Sequence, residues 1–511
     1  MRADSAYTLA DPEFYEDASR HRGSSTFEEI VRRHLPAAGW ETNRQTIWLH
    51  VRRPEVALPQ QGFKIHVSST PECATAVLAR MVALCVQHGV CFKCAATPAI
   101  HDMLNSKPYG RGGAGKFMTI YPVDRAAFVD LIERFHEATG HEPFKGPYIL
   151  SDRRYKDSPI LYYRYGGIRP PRRLELDGTF SSHLTAPDGT ATADERLGYF
   201  RLPPWVDDPF GGSREIEAPS GLVLGERFVV ESMISVTNRG GVYIGTDTHT
   251  GDSVIIKEAR PYVNRSVRAG RVVDSTTLLE HEHHVLTRIA ATGCAPRPIA
   301  LFDEWEHKFL VEERIDGVSL HRWTPLMENL VLPYILRDGV LLAFLPKFHC
   351  IAAALFGVVD RIHAEGVLIG DLSHGNIIVT PDLARVTLID LETAIIEDED
   401  DGLIAFAGAW ATPGFASRER RDGRRITRRD DHYALGMALF GLFVGGLQFF
   451  DLHADALPRF LARLRALGVP ADIAAAIEAL WAGRADEART LLLASAERAS
   501  VNTLGDLTCV S

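Results

Sequence analysis

The stretch Gly370–Asn376, read together with Leu388–Asp390, constrains the fold of this chain most strongly. It supplies an aspartate, an asparagine five residues later and a second aspartate fourteen residues beyond that. Carboxylate and amide oxygens bind Mg²⁺, and a separate carboxylate can accept the proton of a hydroxyl nucleophile. The spacing therefore predicts a phosphoryl-transfer site in which Asp371 is the base and Asn376 and Asp390 are the metal ligands.

Length and composition limit the possible architectures. A chain of 511 residues exceeds what one hydrophobic core usually supports, so two or three domains are expected. The net charge of −10 argues against nucleic-acid binding, because neutralising phosphates requires a basic surface. Seven cysteines in so long a chain do not make a disulfide framework and fit a reducing cytoplasm. The start has no signal-peptide pattern and no run of eighteen apolar residues occurs, so a membrane span is not expected.

A lysine at the end of an apolar run is the next candidate for phosphate binding. Residues 206–221 are rich in Pro and Gly and predict a linker, and three apolar runs between residues 228 and 257 predict strands after it. The last run ends in Lys257. On the following predicted helix, Glu282 is the preferred acidic partner for this lysine, because its helix face points to the cleft, and Glu280 is the alternative.

The turn between the first two of these strands departs from the usual glycine-rich loop. Its register gives Ser235, Thr237 and Gly240, with Gly241 beside the last, so two side chains replace hydrogen where the backbone approaches phosphate. The predicted nucleotide-binding residues are Ser235, Gly240, Gly241, Lys257 and Glu282.

Together these features resemble a protein kinase, with residues 222–499 as its bilobal domain. The resemblance implies ATP or another nucleoside triphosphate as phosphoryl donor and Mg²⁺ as metal. Ser373 replaces the usual lysine two residues after the catalytic aspartate, and Leu391-Glu392 replaces the usual Phe-Gly. These departures leave open a pseudokinase that binds nucleotide without turnover.

A segment of the kinase-like sequence between residues 418 and 429 is rich in arginine. Residues 411–419 resemble the end of an activation segment, and seven arginines lie between Arg418 and Arg429. They predict either a basic patch that attracts an acidic peptide or a solvated loop. Asp431 then resembles the aspartate of the large-lobe helix that braces the catalytic loop.

Residues 1–205 contain a separate set of basic residues. Residues 62–67 alternate like a strand, so Lys64 and His66 point to one face. A predicted helix over 74–88 leads to a second short apolar run that ends in Lys93. A basic glycine-rich loop, 107–116, then precedes a strand, and backbone amides freed by glycine beside Arg and Lys suit a phosphate group.

This set resembles the phosphothreonine lyases and, more closely, the N-terminal lyase domain of lanthipeptide synthetases. The resemblance implies that Lys93 removes the Cα proton of a phosphoserine or phosphothreonine. Lys64 would stabilise the enolate-like oxygen, and His66 would protonate the leaving phosphate. The predicted catalytic residues of this domain are Lys64, His66, Lys93 and Tyr121, and its predicted phosphate-binding residues are Arg111, Lys116, Arg153, Arg154 and Arg164.

A lyase domain followed by a kinase domain resembles the class III lanthipeptide synthetases, including the opening stretch Leu9–Tyr15. The resemblance implies an α+β architecture and a bacterial cytoplasmic enzyme that acts on a precursor peptide with an N-terminal leader. It implies no nucleic-acid or membrane partner. Helical sequence from about residue 470 completes the kinase region, which ends at 499, so residues 500–511 are predicted to be a tail. The C-terminal cyclase of the family is not expected in this sequence, which leaves open a two-domain piece of a longer protein, a dehydratase with a separate cyclase, or one without a cyclase. A regulatory kinase with a phosphopeptide-binding domain and a pseudokinase scaffold are the alternatives.

Overall fold

The architecture is that of a computed structural model, which describes most of the chain. The described residues are 20–21, 23–213, 221–268, 270–326, 340–383, 385–399, 406, 411–445, 447 and 455–508. The stretch Leu9–Tyr15 and residues 214–220 of the predicted linker lie outside them.

A single antiparallel sheet organises the N-terminal region. Its strands follow the order β1-β2-β4-β5-β3-β7-β6, and every neighbouring pair is antiparallel. The strands are β1 (Glu41–Gln45), β2 (Trp48–Arg52), β3 (Gln61–Val67), β4 (Cys91–Ala95), β5 (Met118–Tyr121), β6 (Arg153–Arg154) and β7 (Leu161–Gly167).

Helices cover one face of this sheet because every second residue of its central strands is apolar. Phe63, Ile65, Phe92 and Ile120 are buried there in one core. The helices are α1 (Thr26–His34), α2 (Ala74–Gln87), α3 (Pro98–Leu104) and α4 (Arg125–Thr139). A small sheet follows, made of β8 (Arg172–Leu174), β9 (Phe180–Thr185) and β10 (Ala191–Ala193).

The C-terminal region begins with a second antiparallel sheet, in the order β11-β12-β13-β14-β18-β17. A helix, α5 (Ser275–Ile289), packs beside it and starts at Asp274, whose carboxylate accepts hydrogen bonds from the backbone of the first turn. The strands of this sheet are β11 (Val223–Leu224), β12 (Phe228–Val236), β13 (Gly241–Asp247), β14 (Ser253–Ala259), β17 (Pro298–Glu304) and β18 (His307–Glu313). A separate hairpin is formed by β15 (Ser266–Arg268) and β16 (Arg271–Val273).

Helices dominate the rest of the C-terminal region and share one large core. They are α6 (Leu320–Leu326), α7 (Val340–Ala364), α8 (Arg418–Arg421), α9 (Arg428–Gly441), α10 (Ala456–Ala466), α11 (Ala471–Trp481) and α12 (Ala485–Thr508). The short strands among them are β19 (Val318–Ser319), β20 (Val367–Leu368), β21 (Ile377–Val379), β22 (Val386–Leu388) and β23 (Ile395–Ile396). The described chain is thus a mixed α and β protein, as predicted.

One of these helices, α7, also satisfies the criteria for a membrane span. Its segment Leu341–Ala364 has a mean hydropathy of 1.8 and is long enough to cross a bilayer. Half of that stretch is buried against the other helices. A core helix of a globular domain meets the same test, so this apolar segment by itself says little about a membrane.

Two candidate active sites

The face of the N-terminal sheet that the helices leave uncovered carries a row of polar side chains. Lys93 on β4 lies opposite Thr119 on β5, and Thr119 lies opposite His66 on β3. Directly opposed residues of an antiparallel sheet share a face, so Lys93 and His66 stand two strand spacings, roughly 10 Å, apart. Tyr121, two residues after Thr119, shares this face. The row leaves room for a small group between a lysine and a histidine.

A second row on the same face adds two more cations. Lys64 on β3 lies opposite Arg164 on β7. The ammonium of Lys64 donates to the carbonyl oxygen of Gly167 at 2.9 Å, and the Arg164 guanidinium pairs with Asp194 at 2.6 Å. Both cations are buried, so the sheet fixes their positions.

A buried carboxylate, Asp152, joins two further groups of this site. It accepts hydrogen bonds from Nδ1 of His66 and from the hydroxyl of Ser151, and it lies 3.2 Å from the Lys116 ammonium. Burial lowers the pKa of His66 to about 3, although Asp152 opposes the shift. Because Nδ1 is occupied by Asp152, Nε2 is the ring nitrogen that remains for a substrate.

The lysines of this cluster are poised to lose their protons because cations crowd together out of water. Burial, with repulsion from Arg196 and Lys116, lowers the pKa of Lys93 to about 7. Burial likewise lowers the pKa of Lys116 to about 8 and places the pKa of Lys64 well below its usual value. The Trp48 ring, 4.2 Å from Nζ of Lys93, favours the protonated form and partly offsets this effect. A bound phosphate dianion would relieve the repulsion.

Two arginines predicted to bind phosphate lie outside this cluster. Arg153 pairs with Asp208 at 2.6 Å, because its strand position turns it to the face opposite His66. Arg154 is on the same face as His66, but its guanidinium pairs with Glu306 of the C-terminal region. Their positions do not support the phosphate-binding role predicted from the sequence.

Arg111 also departs from its predicted place. Its Nε donates to the carbonyl oxygen of Thr237 at 2.7 Å, and its guanidinium lies 3.1 Å from Glu258. Both partners belong to the C-terminal region. The glycine-rich loop 107–116, predicted as one phosphate cradle, is therefore divided: Lys116 reaches the cluster, whereas Arg111 contacts the other region.

The cluster also contains residues that the sequence interpretation missed. Asp152 could have been inferred, since a histidine that acts on a substrate usually needs a partner for its second nitrogen. Arg196 follows the exposed strand β10 and belongs to no motif, so the sequence carried no signal for it. Trp48 becomes visible only through the sheet register, and Asp194 only through its ion pair with Arg164.

The second candidate site lies in the cleft below the sheet of the C-terminal region. The Lys257 ammonium on β14 is 2.6 Å from the Glu282 carboxylate on α5. It is also 3.1 Å from Glu312 at the end of β18. Glu280, the alternative partner, pairs instead with Lys308 at 3.1 Å. The lysine is thus held between two buried carboxylates.

The predicted base, Asp371, is held from two sides. The backbone amide and the hydroxyl of Thr412 donate to its carboxylate at 3.0 and 2.9 Å. The side-chain amide of Asn376 donates to it at 3.1 Å. Burial raises the pKa of Asp371, although the hydrogen bonds from Thr412 oppose the shift. The Asp431 carboxylate accepts the backbone amides of Ile369 and Gly370 at 2.8 and 3.0 Å and so braces the loop.

Three carboxylates next to this base form a compact acidic cluster. Oxygens of Glu282, Asp390 and Glu392 lie within 4.8 Å of one another, and Arg239 of the glycine-rich turn pairs with Glu392. The second oxygen of Glu282 is buried and accepts no hydrogen bond from any described residue. Hard oxygen ligands of this kind fit Mg²⁺. Of the two predicted ligands, Asp390 lies in this cluster beside Glu392, whereas the side-chain amide of Asn376 contacts Asp371.

The arginine-rich segment has mainly structural partners. Arg420 is buried and donates to the carbonyl oxygen of Gly370, and Arg424 pairs with Asp430 at 2.6 Å. Arg428 pairs with Glu397 at 2.6 Å and also donates to a backbone carbonyl. These contacts do not support the predicted basic patch as far as these arginines are concerned.

Comparison with known proteins gives one family match and relatives of two kinds. Residues 28–221 match the family described as "RamC, N-terminal domain". The chain is 35% identical over 448 residues, 86% of its length, to a probable SapB synthase of Streptomyces coelicolor. It is 29% identical over 47% of its length to the serine/threonine-protein kinase PknD of Mycobacterium tuberculosis. It is 22% identical over 45% to the DNA damage-responsive serine/threonine-protein kinase RqkA of Deinococcus radiodurans.

The relatives are longer than this chain. It covers 46% of the probable SapB synthase, 33% of PknD and 31% of RqkA. The resemblance predicted from the sequence is confirmed by the first of these matches together with the family match.

Proposed function

We propose that this chain, which resembles the class III lanthipeptide synthetases over most of its length, dehydrates serine and threonine residues of a ribosomally made precursor peptide. The kinase-like region, 222–499, phosphorylates the side-chain hydroxyl. The N-terminal region, 1–205, then eliminates the phosphate and leaves dehydroalanine or dehydrobutyrine. The observation that carries the proposal is the row Lys93, Thr119 and His66 beside buried cations, in a chain that also holds Lys257 with Glu282 and Asp371 with Asn376.

In the first step, Asp371 orients the peptide hydroxyl and accepts its proton. The hydroxyl oxygen forms a bond to the γ-phosphorus of the nucleoside triphosphate, and the bond from that phosphorus to the diphosphate breaks. Lys257, fixed by two carboxylates, would bind the donor phosphates. Asp390, with Asn376 and Glu392, would hold Mg²⁺, which supplies positive charge for the phosphates when bound.

In the second step, the neutral form of Lys93 removes the Cα proton. The Cα–Cβ double bond forms as the Cβ–oxygen bond breaks and phosphate leaves. Lys64 stabilises the negative charge on the peptide carbonyl oxygen, and His66 delivers a proton to phosphate from Nε2. Arg164 and Lys116 bind the phosphate. Burial lowers the pKa of His66 in the free site, and the dianionic charge of the bound phosphate raises it again.

The main test follows the mass of a Ser- and Thr-rich precursor peptide incubated with the protein, a nucleoside triphosphate and Mg²⁺. We expect the peptide to lose the mass of one water for each modified residue. The proposed enzyme is cytoplasmic and acts without a nucleic-acid or membrane partner. Thiol addition to the dehydro residues would confirm the alkene. A wild-type protein that only adds phosphate would contradict the lyase step, and a peptide of unchanged mass would contradict both steps.

The pH dependence of elimination gives a separate prediction. Lys93 must be neutral to act as base, and bound phosphate keeps His66 protonated, so kcat for a synthetic phosphopeptide should rise with pH through the pKa of Lys93, which is about 7 in the free site. Lys116 must stay charged to hold the phosphate, so kcat should fall again when Lys116 loses its proton, and its pKa is about 8 in the free site. Arginine stays protonated throughout this range. Lys116→Arg should therefore abolish the fall at high pH and keep the rise. If activity in Lys116→Arg still fell at high pH as in the wild type, the fall could not be assigned to loss of the proton of Lys116.

A further inference from the structure

The cleft of the C-terminal region is partly lined by a residue of the N-terminal region. The cavity has a volume of about 650 Å³, and its walls include Lys257, Glu282 and Asp390. Lys107, the first residue of the glycine-rich loop 107–116, also lines it. An ammonium group from the first region thus stands at the predicted nucleotide site of the second.

The backbone that carries Lys107 is fixed to the glycine-rich turn. The buried Asn238 donates its backbone amide to the carbonyl oxygen of Lys107 at 3.2 Å and its side-chain amide to that of Ser106 at 3.0 Å. Arg260, also buried, donates to Asn238 at 2.6 Å and to the carbonyl oxygen of Tyr148 at 2.6 Å. Hydrogen bonds between the two regions therefore fix the backbone of Lys107 at the cleft.

Two other cations of the cleft, Lys257 and Arg239, are already paired with carboxylates. Lys257 is shared by two carboxylates, and the Arg239 guanidinium is paired with Glu392. The turn also has side chains where two glycines usually expose amides to phosphate. Lys107 makes no ion pair within the described part of the chain and is exposed to solvent. It can therefore bind a phosphate oxygen without giving up a protein partner, and among the described residues that line the cleft it is the cation that the N-terminal region supplies.

We propose that Lys107 binds the phosphates of the nucleoside triphosphate, so that the N-terminal region completes the nucleotide site of the kinase-like region. This inference rests on the proposed phosphorylation step. Because Arg111 of the same loop contacts Thr237 and Glu258, and Lys116 contacts Asp152 of the elimination site, bound nucleotide would bridge the two regions through one loop.

The test compares Lys107→Ala with Lys145→Ala, which removes an exposed lysine of the same region that has no proposed role. The KM for the nucleoside triphosphate and the Kd for a non-hydrolysable analogue with Mg²⁺ are measured in the full chain. Loss of one charge-assisted contact should raise both by about tenfold or more in Lys107→Ala and leave Lys145→Ala unchanged. Lys107→Arg should restore most of the affinity.

Elimination from a synthetic phosphopeptide without nucleotide serves as the folding control. It should proceed at the wild-type rate in Lys107→Ala, because Lys107 lies outside the elimination site. Equal KM and Kd values in the two alanine variants would overturn the inference. Absence of phosphorylation by the wild-type protein would instead overturn the proposed function, so the two failures are distinguishable.

Discussion

Replacement of Lys93 by alanine is expected to stop the elimination step and to make phosphorylated peptide accumulate. The Cα proton is weakly acidic, so elimination depends on a neutral amine placed against it. Burial and the charges of Arg196 and Lys116 keep the pKa of Lys93 near 7, so that a large fraction of it is neutral at physiological pH. Loss of a general base costs about 10²- to 10⁴-fold in rate. The measurement is the mass of the peptide over time, with phosphate retained as the diagnostic.

The same experiment contains its own control for folding. Lys93→Ala leaves Asp371 and Lys257 intact, so phosphate addition should continue at the wild-type rate. Lys156→Ala removes an exposed lysine that pairs with Glu133 at 2.5 Å and should leave both steps unchanged. If Lys93→Ala still released phosphate at the wild-type rate, Lys93 would not be the base, and the lyase assignment would fail with it.

The part of the elimination site that could be predicted is the part that depends on strand periodicity. Alternation in β3 places Lys64 and His66 on one face whatever the rest of the fold does. Lys93 could be related to them only through the resemblance, because its distance from His66 depends on β5 lying between their strands. Strand order is set by packing over the whole sheet and leaves no local sequence signal.

Contacts between the two regions were beyond prediction for a different reason. Arg111 was assigned to phosphate because it lies in a basic glycine-rich loop, and Arg154 because of the resemblance to the lanthipeptide synthetases. Arg154 instead pairs with Glu306 and Arg111 with Glu258, and both carboxylates belong to the C-terminal region. Spacing along a chain carries no information on which surfaces contact each other. The ion pairs of Arg111 and Arg154 and the position of Lys107 at the cleft therefore could not be predicted from the sequence.

The kinase-like site shows the same limit at shorter range. Glu392 was visible as a departure from the usual motif, but its role depends on the turn made by Asp390, which has a positive φ of 60°. That turn brings the Glu392 carboxylate beside Asp390 and Glu282. A motif identifies the residues that match a family, whereas a substituted position acquires meaning only from its neighbours in space.

The converse variant, Asp371→Asn, should abolish phosphate addition and leave elimination intact. Asparagine keeps the size of the side chain and can still accept a hydrogen bond from Thr412, but it cannot take the proton of the peptide hydroxyl. We expect phosphorylation to fall by about 10²- to 10⁴-fold, since this carboxylate is the general base of the step. The full-length precursor should then keep its original mass in the presence of nucleoside triphosphate and Mg²⁺.

Two further arms separate a missing base from a damaged cleft. Asp371→Asn should bind a non-hydrolysable nucleoside triphosphate with Mg²⁺ as tightly as the wild type, because the proposed phosphate and metal contacts are made by Lys257 and by the acidic cluster and not by Asp371. Supplied with a synthetic phosphoserine peptide, the variant should form dehydroalanine at the wild-type rate, as should Asp360→Asn, which removes a surface carboxylate paired with Arg489. Phosphorylation that persists in Asp371→Asn would assign the base elsewhere. Loss of elimination would contradict the expectation that the row of Lys93 and His66 acts independently of Asp371.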